Sequence, residues 1–240
     1  MASVAEPRYV SNRDASCRMF RREWLERFSH VHPIVPHVIY LPLIGYLLIQ
    51  AQARDASALR TAGLFAFGLL VWTLSEYVIH RFVFHPPPRI EEDTRRVLSA
   101  IGVDEPCLAA LPTWRHRFYF LVHGVHHDFP ADSRRLVMPP SVSVPLAALF
   151  FIGFELCLGS SAPGAFAGFV GGYLFYDTTH YFTHHGAART AMSRFQRKRH
   201  FRHHYADSSH DFGVSSPFWD AVLGTLGSNE SSTVSTKRVK

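Results

Sequence analysis

Four groups of histidine dominate the chemistry this chain can do. They are His80-Arg-Phe-Val-Phe-His85, His123-Gly-Val-His126-His127, His180-Tyr-Phe-Thr-His184-His185 and His200-Phe-Arg-His203-His204. Neutral imidazole is the commonest metal-ligating side chain. His123, His126 and His127 stand in i, i+3, i+4 relation, so on a helix they share one face. His200, His203 and His204 repeat that pattern, and His180 with His184 is an i, i+4 pair of the kind that clamps one ion in helical zinc sites. His80 and His85 are five apart, about 140° around an α-helix. Pro86-Pro-Pro88 ends any helix there, so an unwound last turn is expected to bring His85 back beside His80.

A structural zinc needs about four ligands. Ten imidazoles point to two ions, and an all-imidazole shell suits iron, zinc or copper over magnesium or calcium. Soluble di-iron bundles use Glu and Glu-x-x-His sets; here few carboxylates are interleaved, so histidine must do that work. Two ions with open positions for dioxygen is the reading that uses the whole set.

The elements that must position these residues are apolar. Residues 34–51, 61–79, 139–158 and 162–179 are near the ~20 residues that cross a hydrocarbon core. Each histidine group lies beside the end of one of these runs or within a short loop of it. The expected fold is an all-α integral membrane protein of four transmembrane helices with a cytosolic, histidine-rich helical cap. Residues 33–227 form its membrane domain, residues 1–32 a cytosolic segment with an interfacial helix over Phe20–Phe28, and residues 228–240 a disordered tail. Gly159-Ser-Ser161 is short enough to make the last two spans a hairpin.

The charge pattern fixes an expected orientation. Of the 25 Lys and Arg residues, 23 fall in segments 1–33, 80–138 and 180–240, and two in the 52–60 loop. With four spans the rich segments all share one side, which the positive-inside rule makes cytosolic. All four histidine groups land on that side. The net charge of +6 therefore reads as topology, and nucleic acid is not an expected partner. Three scattered cysteines exclude a disulfide framework or a Cys-type zinc site, and no apolar run precedes residue 33, so a cleaved leader is not expected.

His-x4-His, His-x2-His-His, His-x3-His and His-x2-His-His together resemble the fatty acid hydroxylase and sterol desaturase superfamily. The flanks resemble its fatty acid 2-hydroxylase branch: Trp72-Thr-Leu-Ser-Glu-Tyr77, Ser133-Arg-Arg-Leu-Val-Met-Pro-Pro140, Tyr176-Asp-Thr-Thr-His-Tyr181 and Phe212-Gly-Val-Ser-Ser-Pro-Phe-Trp-Asp220. The resemblance covers about residues 35 to 226. It implies a dimetal centre that uses O2 to hydroxylate the α carbon of a fatty acyl chain, commonly that of a sphingolipid or ceramide. It implies as ligands His80, His85, His123, His126, His127, His180, His184, His200, His203 and His204, with iron in the working enzyme and zinc possible as isolated.

Many relatives carry a cytochrome-b5-like domain for which residues 1–32 are too short. Electrons are expected from a separate carrier, either cytochrome-b5-like or a ferredoxin with its reductase. The host membrane is expected to be endoplasmic reticulum in a eukaryote and the inner membrane in a bacterium. Residues 89–117 look longer than usual for the branch and read as an extra cytosolic flap. Metal-bound histidines pass their second N–H to a carboxylate or carbonyl, which nominates Glu76, one turn before His80, and Asp177, three before His180. Tyr176 is placed near the metals or the acyl channel. Arg135 is read as a headgroup contact or a topology charge. The alternatives are a sterol or carotenoid oxygenase of the same superfamily and a non-enzymatic, histidine-rich metal-binding protein. Spans bare of ionisable residues at their centres disfavour a transporter.

Overall fold

A computed structural model describes residues 9–55, 57–85 and 118–228. The expected flap over 89–117 and the tail from residue 229 lie outside the described residues. Among the described residues all regular structure is helical: α1 (Glu23–Phe28), α2 (Val35–Asp55), α3 (Ala58–Val78), α4 (Val125–Asp128), α5 (Pro140–Leu158), α6 (Ala162–His185), α7 (Ala191–Tyr205) and α8 (Phe218–Val222). Two π-helical turns, Ile79–Phe84 and Phe120–Gly124, continue α3 and lead into α4.

The boundaries follow local chemistry. Proline opens α5 and α6 in the first turn, where its missing N–H has no helical partner in any case. Ser57 Oγ accepts the Arg60 N–H at the start of α3, and Thr190 and Ser193 form a reciprocal capping box on α7.

Among the described residues three apolar stretches are long enough to cross a membrane: Val35–Arg54, Ala58–Phe84 and Pro140–His185. The third is 46 residues long and comprises α5 and α6, joined by a 3₁₀ turn at Gly159–Ser161. Its two helices are antiparallel, because Phe154 meets Phe166 at 5.6 Å while Phe150 meets Phe169 at 4.7 Å. Gly159 makes the reversal at φ 52°, a region open to a residue without Cβ. α6 runs on past residue 179, the expected end of that span, so the third histidine motif is part of the same helix.

α6 is the central post. It is buried almost continuously from Ala162 to Leu174, as expected of a helix apolar all round. α3 lies parallel to it, since Leu64 faces Gly164, Phe65 faces Gly168 and Trp72 faces Gly172. The approach is backbone to backbone: a Cβ on Gly68 would lie 1.8 Å from the Ala165 carbonyl oxygen, and one on Gly168 1.9 Å from that of Phe65. Small residues permit such contact where lipid removes the usual hydrophobic drive between helices. α2 runs antiparallel to α6, with His37 Nε2 2.9 Å from Thr178 Oγ1 and the Tyr40 ring on Tyr173. His37 thus joins two helices. Large apolar side chains such as Leu149, Ile152 and Leu156 of α5 face outward, the contiguous patch expected of a lipid contact.

The chain gathers its chemistry at one end of this bundle. The α2–α3 connection and the Gly159–Ser161 turn meet at the other, where Arg60 bonds the Ser161 hydroxyl at 2.8 Å. At the histidine end α1 exposes Trp24 and Phe28 and turns Glu26 inward. Glu26 accepts the Met19 and Phe20 N–H groups at 3.0 and 2.9 Å and pairs with Arg135 at 2.5 Å. Arg135 is buried in that contact and also donates to the Cys17 carbonyl. It therefore anchors the N-terminal segment and does not face a headgroup.

Burial alone would raise the Glu26 carboxyl, but the two N–H donors and Arg135 outweigh it and hold it below its usual 4.5. A depressed carboxyl stabilises the fold above its unfolded value and ceases to as pH falls through its folded value. Amide exchange of Met19 and Phe20, corrected for intrinsic rate, is therefore expected to stay slow above about pH 4.5 and to quicken below it. In Glu26→Gln that pH dependence should vanish.

Candidate metal centre

All ten histidines expected from the sequence converge at the histidine end, in two groups of five. The first is His80, His85, His123, His127 and His203, and the second His126, His180, His184, His200 and His204. Within each group one nitrogen per residue lies within 4.8 Å of all the others. The groups adjoin, with the His127 and His204 rings stacked at 4.2 Å.

Their assembly refines two readings of the spacing. Each His-x2-His-His motif, whose three rings share one helix face, straddles both groups, while the i, i+4 pairs stay together. The i, i+4 pair His123 and His127 goes to the first group and His126 to the second, whereas His200 and His204 go to the second and His203 to the first. His80 and His85 meet as expected, and the loosened last turn that brings them together is π-helical. In the π-helical turn the His85 N–H bonds the His80 carbonyl at 3.0 Å, closing an i→i+5 ring that aligns residues five apart.

The nitrogens fit a cation. Nε2 to Nε2 separations are 3.2 Å for His80–His123, 3.0 Å for His123–His127, 3.1 Å for His85–His203, 2.9 Å for His126–His180 and 2.8 Å for His184–His200. Ligands about 2.0–2.1 Å from one ion lie about 2.9–3.4 Å from each other at octahedral or tetrahedral angles. Burial, joined by neighbouring imidazoles, pushes His123, His126, His127, His200 and His204 well below 6.5, and burial takes His203 to about 4. These rings are neutral at physiological pH and offer lone pairs. The histidine clusters can thus bind metal ions.

Two rings have a settled tautomer. His80 Nδ1 lies 2.5 Å from the Phe212 carbonyl oxygen and His203 Nδ1 2.7 Å from that of His210. A carbonyl only accepts, so both Nδ1 atoms carry the proton and both Nε2 atoms face the group with a lone pair.

Neither nominated carboxylate reaches the ring it is expected to orient. Glu76 accepts the N–H groups of Val214 and Ser215 at 2.7 and 2.9 Å, together with the Ser215 hydroxyl. It holds the loop whose Phe212 carbonyl meets His80. The Asp177 Oδ2 and the Nδ1 of His180 are buried and have no protein partner. Tyr176 lies against His180, with ring centroids 5.7 Å apart. His185 stacks on Tyr181 outside both groups, and His210 pairs with Asp207.

The segment after α7, the loop together with α8, carries residues that spacing alone does not single out. Asp220 takes the Phe212 and Gly213 N–H groups at 2.9 and 2.8 Å and pairs with Arg199 at 2.8 Å. Asp211 pairs with Arg199 and Arg202 at 3.3 and 2.5 Å. Their signal is the Phe212–Asp220 stretch, which reads as a flank in the sequence and proves to be a scaffold. Trp219 Nε1–H donates to Thr73 Oγ1 at 3.0 Å.

An apolar cavity opens beside the first group. Trp72, Phe150, Phe169 and Val170 line it, and His80, Glu76 and Tyr176 stand at its histidine end. From Trp72 to His80 it follows α3 for roughly 12 Å. Tyr173 lines it too, its hydroxyl buried and without a protein partner.

Residues 65–225 match the family model described as fatty acid hydroxylase. The chain is 32% identical over 189 residues to the dihydroceramide fatty acyl 2-hydroxylase FAH2 of Arabidopsis thaliana, covering 78% of this chain and 70% of that one. It is 39% identical over 203 residues to the ceramide very long chain fatty acid hydroxylase scs7 of Schizosaccharomyces pombe, covering 83% and 53%. A solved structure of full-length scs7p, with only the hydroxylase domain visible, superposes with a TM-score of 0.72 at 33% identity, covering 87% of this chain and 72% of that one. Sequence, fold and a metal-ready histidine centre agree: the chain belongs to the fatty acid hydroxylase family.

Proposed function

We propose that this protein is a membrane-bound hydroxylase that places a hydroxyl on C2 of a long fatty acyl chain, within ceramide or a related sphingolipid. The observation that carries this reading is an apolar cavity ending on His80, a member of one five-histidine group, beside Tyr176, which lies on His180 of the other. The relatives named as ceramide and dihydroceramide hydroxylases support the substrate class.

The ten histidines hold two metal ions, five to each. Two iron ions there would supply the activation of O2 that cleavage of an alkyl C–H bond requires. The balance is one acyl CH2, O2, two electrons and two protons in, and one CHOH and one water out. Electrons come from a one-electron carrier of cytochrome-b5 or ferredoxin type.

The protein's own part is placement and exclusion of water. Trp72, Phe150, Phe169 and Val170 take the methylene chain out of water, at roughly 25 cal/mol per Å² of apolar surface. Tyr173 can donate its unpartnered hydroxyl to the acyl carbonyl, which fixes the neighbouring carbon. Tyr176 closes the cavity against His180 and keeps the end beside the histidines dry.

The topology we propose has four crossings, with α5 and α6 crossing separately. The histidine end, where the Lys- and Arg-rich segments gather, faces the cytosol. Expression with an electron source is expected to raise 2-hydroxylated acyl chains in extracted lipids, and His126→Ala to abolish that rise. Lipid profiles that are identical with and without the protein would overturn the reading.

A further inference from the structure

We infer that the two histidine groups hold their ions with unequal strength. The group at the acyl cavity is the tighter, and Glu76 is a positioning residue that sets its strength through the 210–216 loop. The inference rests on the two-ion reading above.

The asymmetry lies behind the rings. Both settled Nδ1–H···O=C bonds, His80 to Phe212 and His203 to His210, belong to the first group. Donating that proton makes Nε2 more basic and fixes the ring's direction, and loss of such partners typically weakens metal binding about 10–100-fold. In the second group His180, His200 and His204 have buried Nδ1 atoms with no protein acceptor. Those three rings lack both the added basicity and the fixed tautomer.

Both carbonyls sit on a single clamped loop. Glu76 holds it from α3 by the Val214 and Ser215 N–H groups, and Asp220 holds it from α8 by those of Phe212 and Gly213. The Phe212 carbonyl therefore lies between two carboxylate anchors and cannot turn freely. Glu76 touches no histidine of either group by hydrogen bond, yet it fixes the acceptor that one of them uses. Both Glu76 side-chain oxygens accept from the loop, Oε1 from the Val214 and Ser215 N–H groups and Oε2 from the Ser215 hydroxyl, whereas an amide would offer one acceptor oxygen and leave that hydroxyl without its acceptor.

The test is metal retention. Purified, fully loaded protein in detergent is equilibrated with graded EDTA, and metal per chain is measured after desalting. Wild type is expected to lose one ion and then the other, at free-metal levels separated by about 10–100-fold. His184→Ala should delete only the weaker step and His85→Ala only the tighter one. Glu76→Gln, which keeps shape and can still accept both N–H groups, should move the tighter step about tenfold toward the weaker and leave the weaker in place. A merely structural role would shift both steps together.

Ser215→Ala removes one hydrogen bond to the same carboxylate and should act in the same direction, so the test stands if Glu76→Gln does not fold. A single two-ion step in wild type, or a shift confined to the weaker step in Glu76→Gln and Ser215→Ala, overturns the inference. A loaded chain holding other than two ions overturns the two-ion reading instead.

Discussion

Asp220→Ala is expected to leave little folded protein. The carboxylate is fully buried and takes four hydrogen bonds: Phe212 N–H, Gly213 N–H, Thr225 Oγ1 and Arg199 Nη2. Truncation leaves Arg199, only 4% exposed, with Asp211 at 3.3 Å as its remaining carboxylate. Removing one partner of a buried pair typically costs about 3–5 kcal/mol, and each orphaned N–H adds about 1–3 kcal/mol. The total rivals the ~5–15 kcal/mol that holds a domain folded. Asp220→Asn keeps an acceptor and loses the charge, so it should fall between the two. Thermal melts followed by size-exclusion in detergent should rank wild type above Asn and Asn above Ala. Equal midpoints for wild type and Ala would show that the Arg199 cluster is dispensable.

The second large effect is expected at Gly168. Alanine there puts Cβ 1.9 Å from the Phe65 carbonyl oxygen, an atom of helix backbone that cannot rotate away. Restoring ordinary contact requires α3 and α6 to part by about 1 Å, and overpacking of this kind costs about 1–3 kcal/mol or more. Gly68→Ala meets the Ala165 carbonyl in the same seam. Once one alanine has opened the seam the other is partly accommodated, so the double variant should lose less than the sum of the singles. Gly63, where an added methyl group would meet nothing within 4 Å, is the control. Gly63→Ala should stabilise by up to about 1 kcal/mol through helix propensity. Melting midpoints of the four variants decide the matter, and equal midpoints for Gly63→Ala and Gly168→Ala would sink it.

Helix placement is legible in the sequence because lipid imposes a simple rule: a buried backbone must bond to itself over about 20 apolar residues. The ten histidines are legible because spacing and flanks both single them out. Their division is not. A helical wheel sends His123, His126 and His127 to one face, but that face sits between two groups, so a ring three residues on goes to the other. The loop carbonyls of His210 and Phe212 are also hidden, since any residue supplies one and only the fold aims it. Arg135 misleads for a related reason: its buried partner, Glu26, lies more than a hundred residues away.

The π-helical turn at Ile79–Phe84 acts as a phase corrector for the helix that carries it. Below the turn, Trp72 and Glu76 keep the faces that α6 and the 210–216 loop require. Above it, His85 returns to the side of His80 although the count between them does not suit an α-helix. One extra residue per turn absorbs about 100° of rotation that would otherwise pass down the helix. The membrane seam and the metal-ready end of α3 are thereby set in separate frames, so substitution in the lipid-facing part need not turn His85 away from its group.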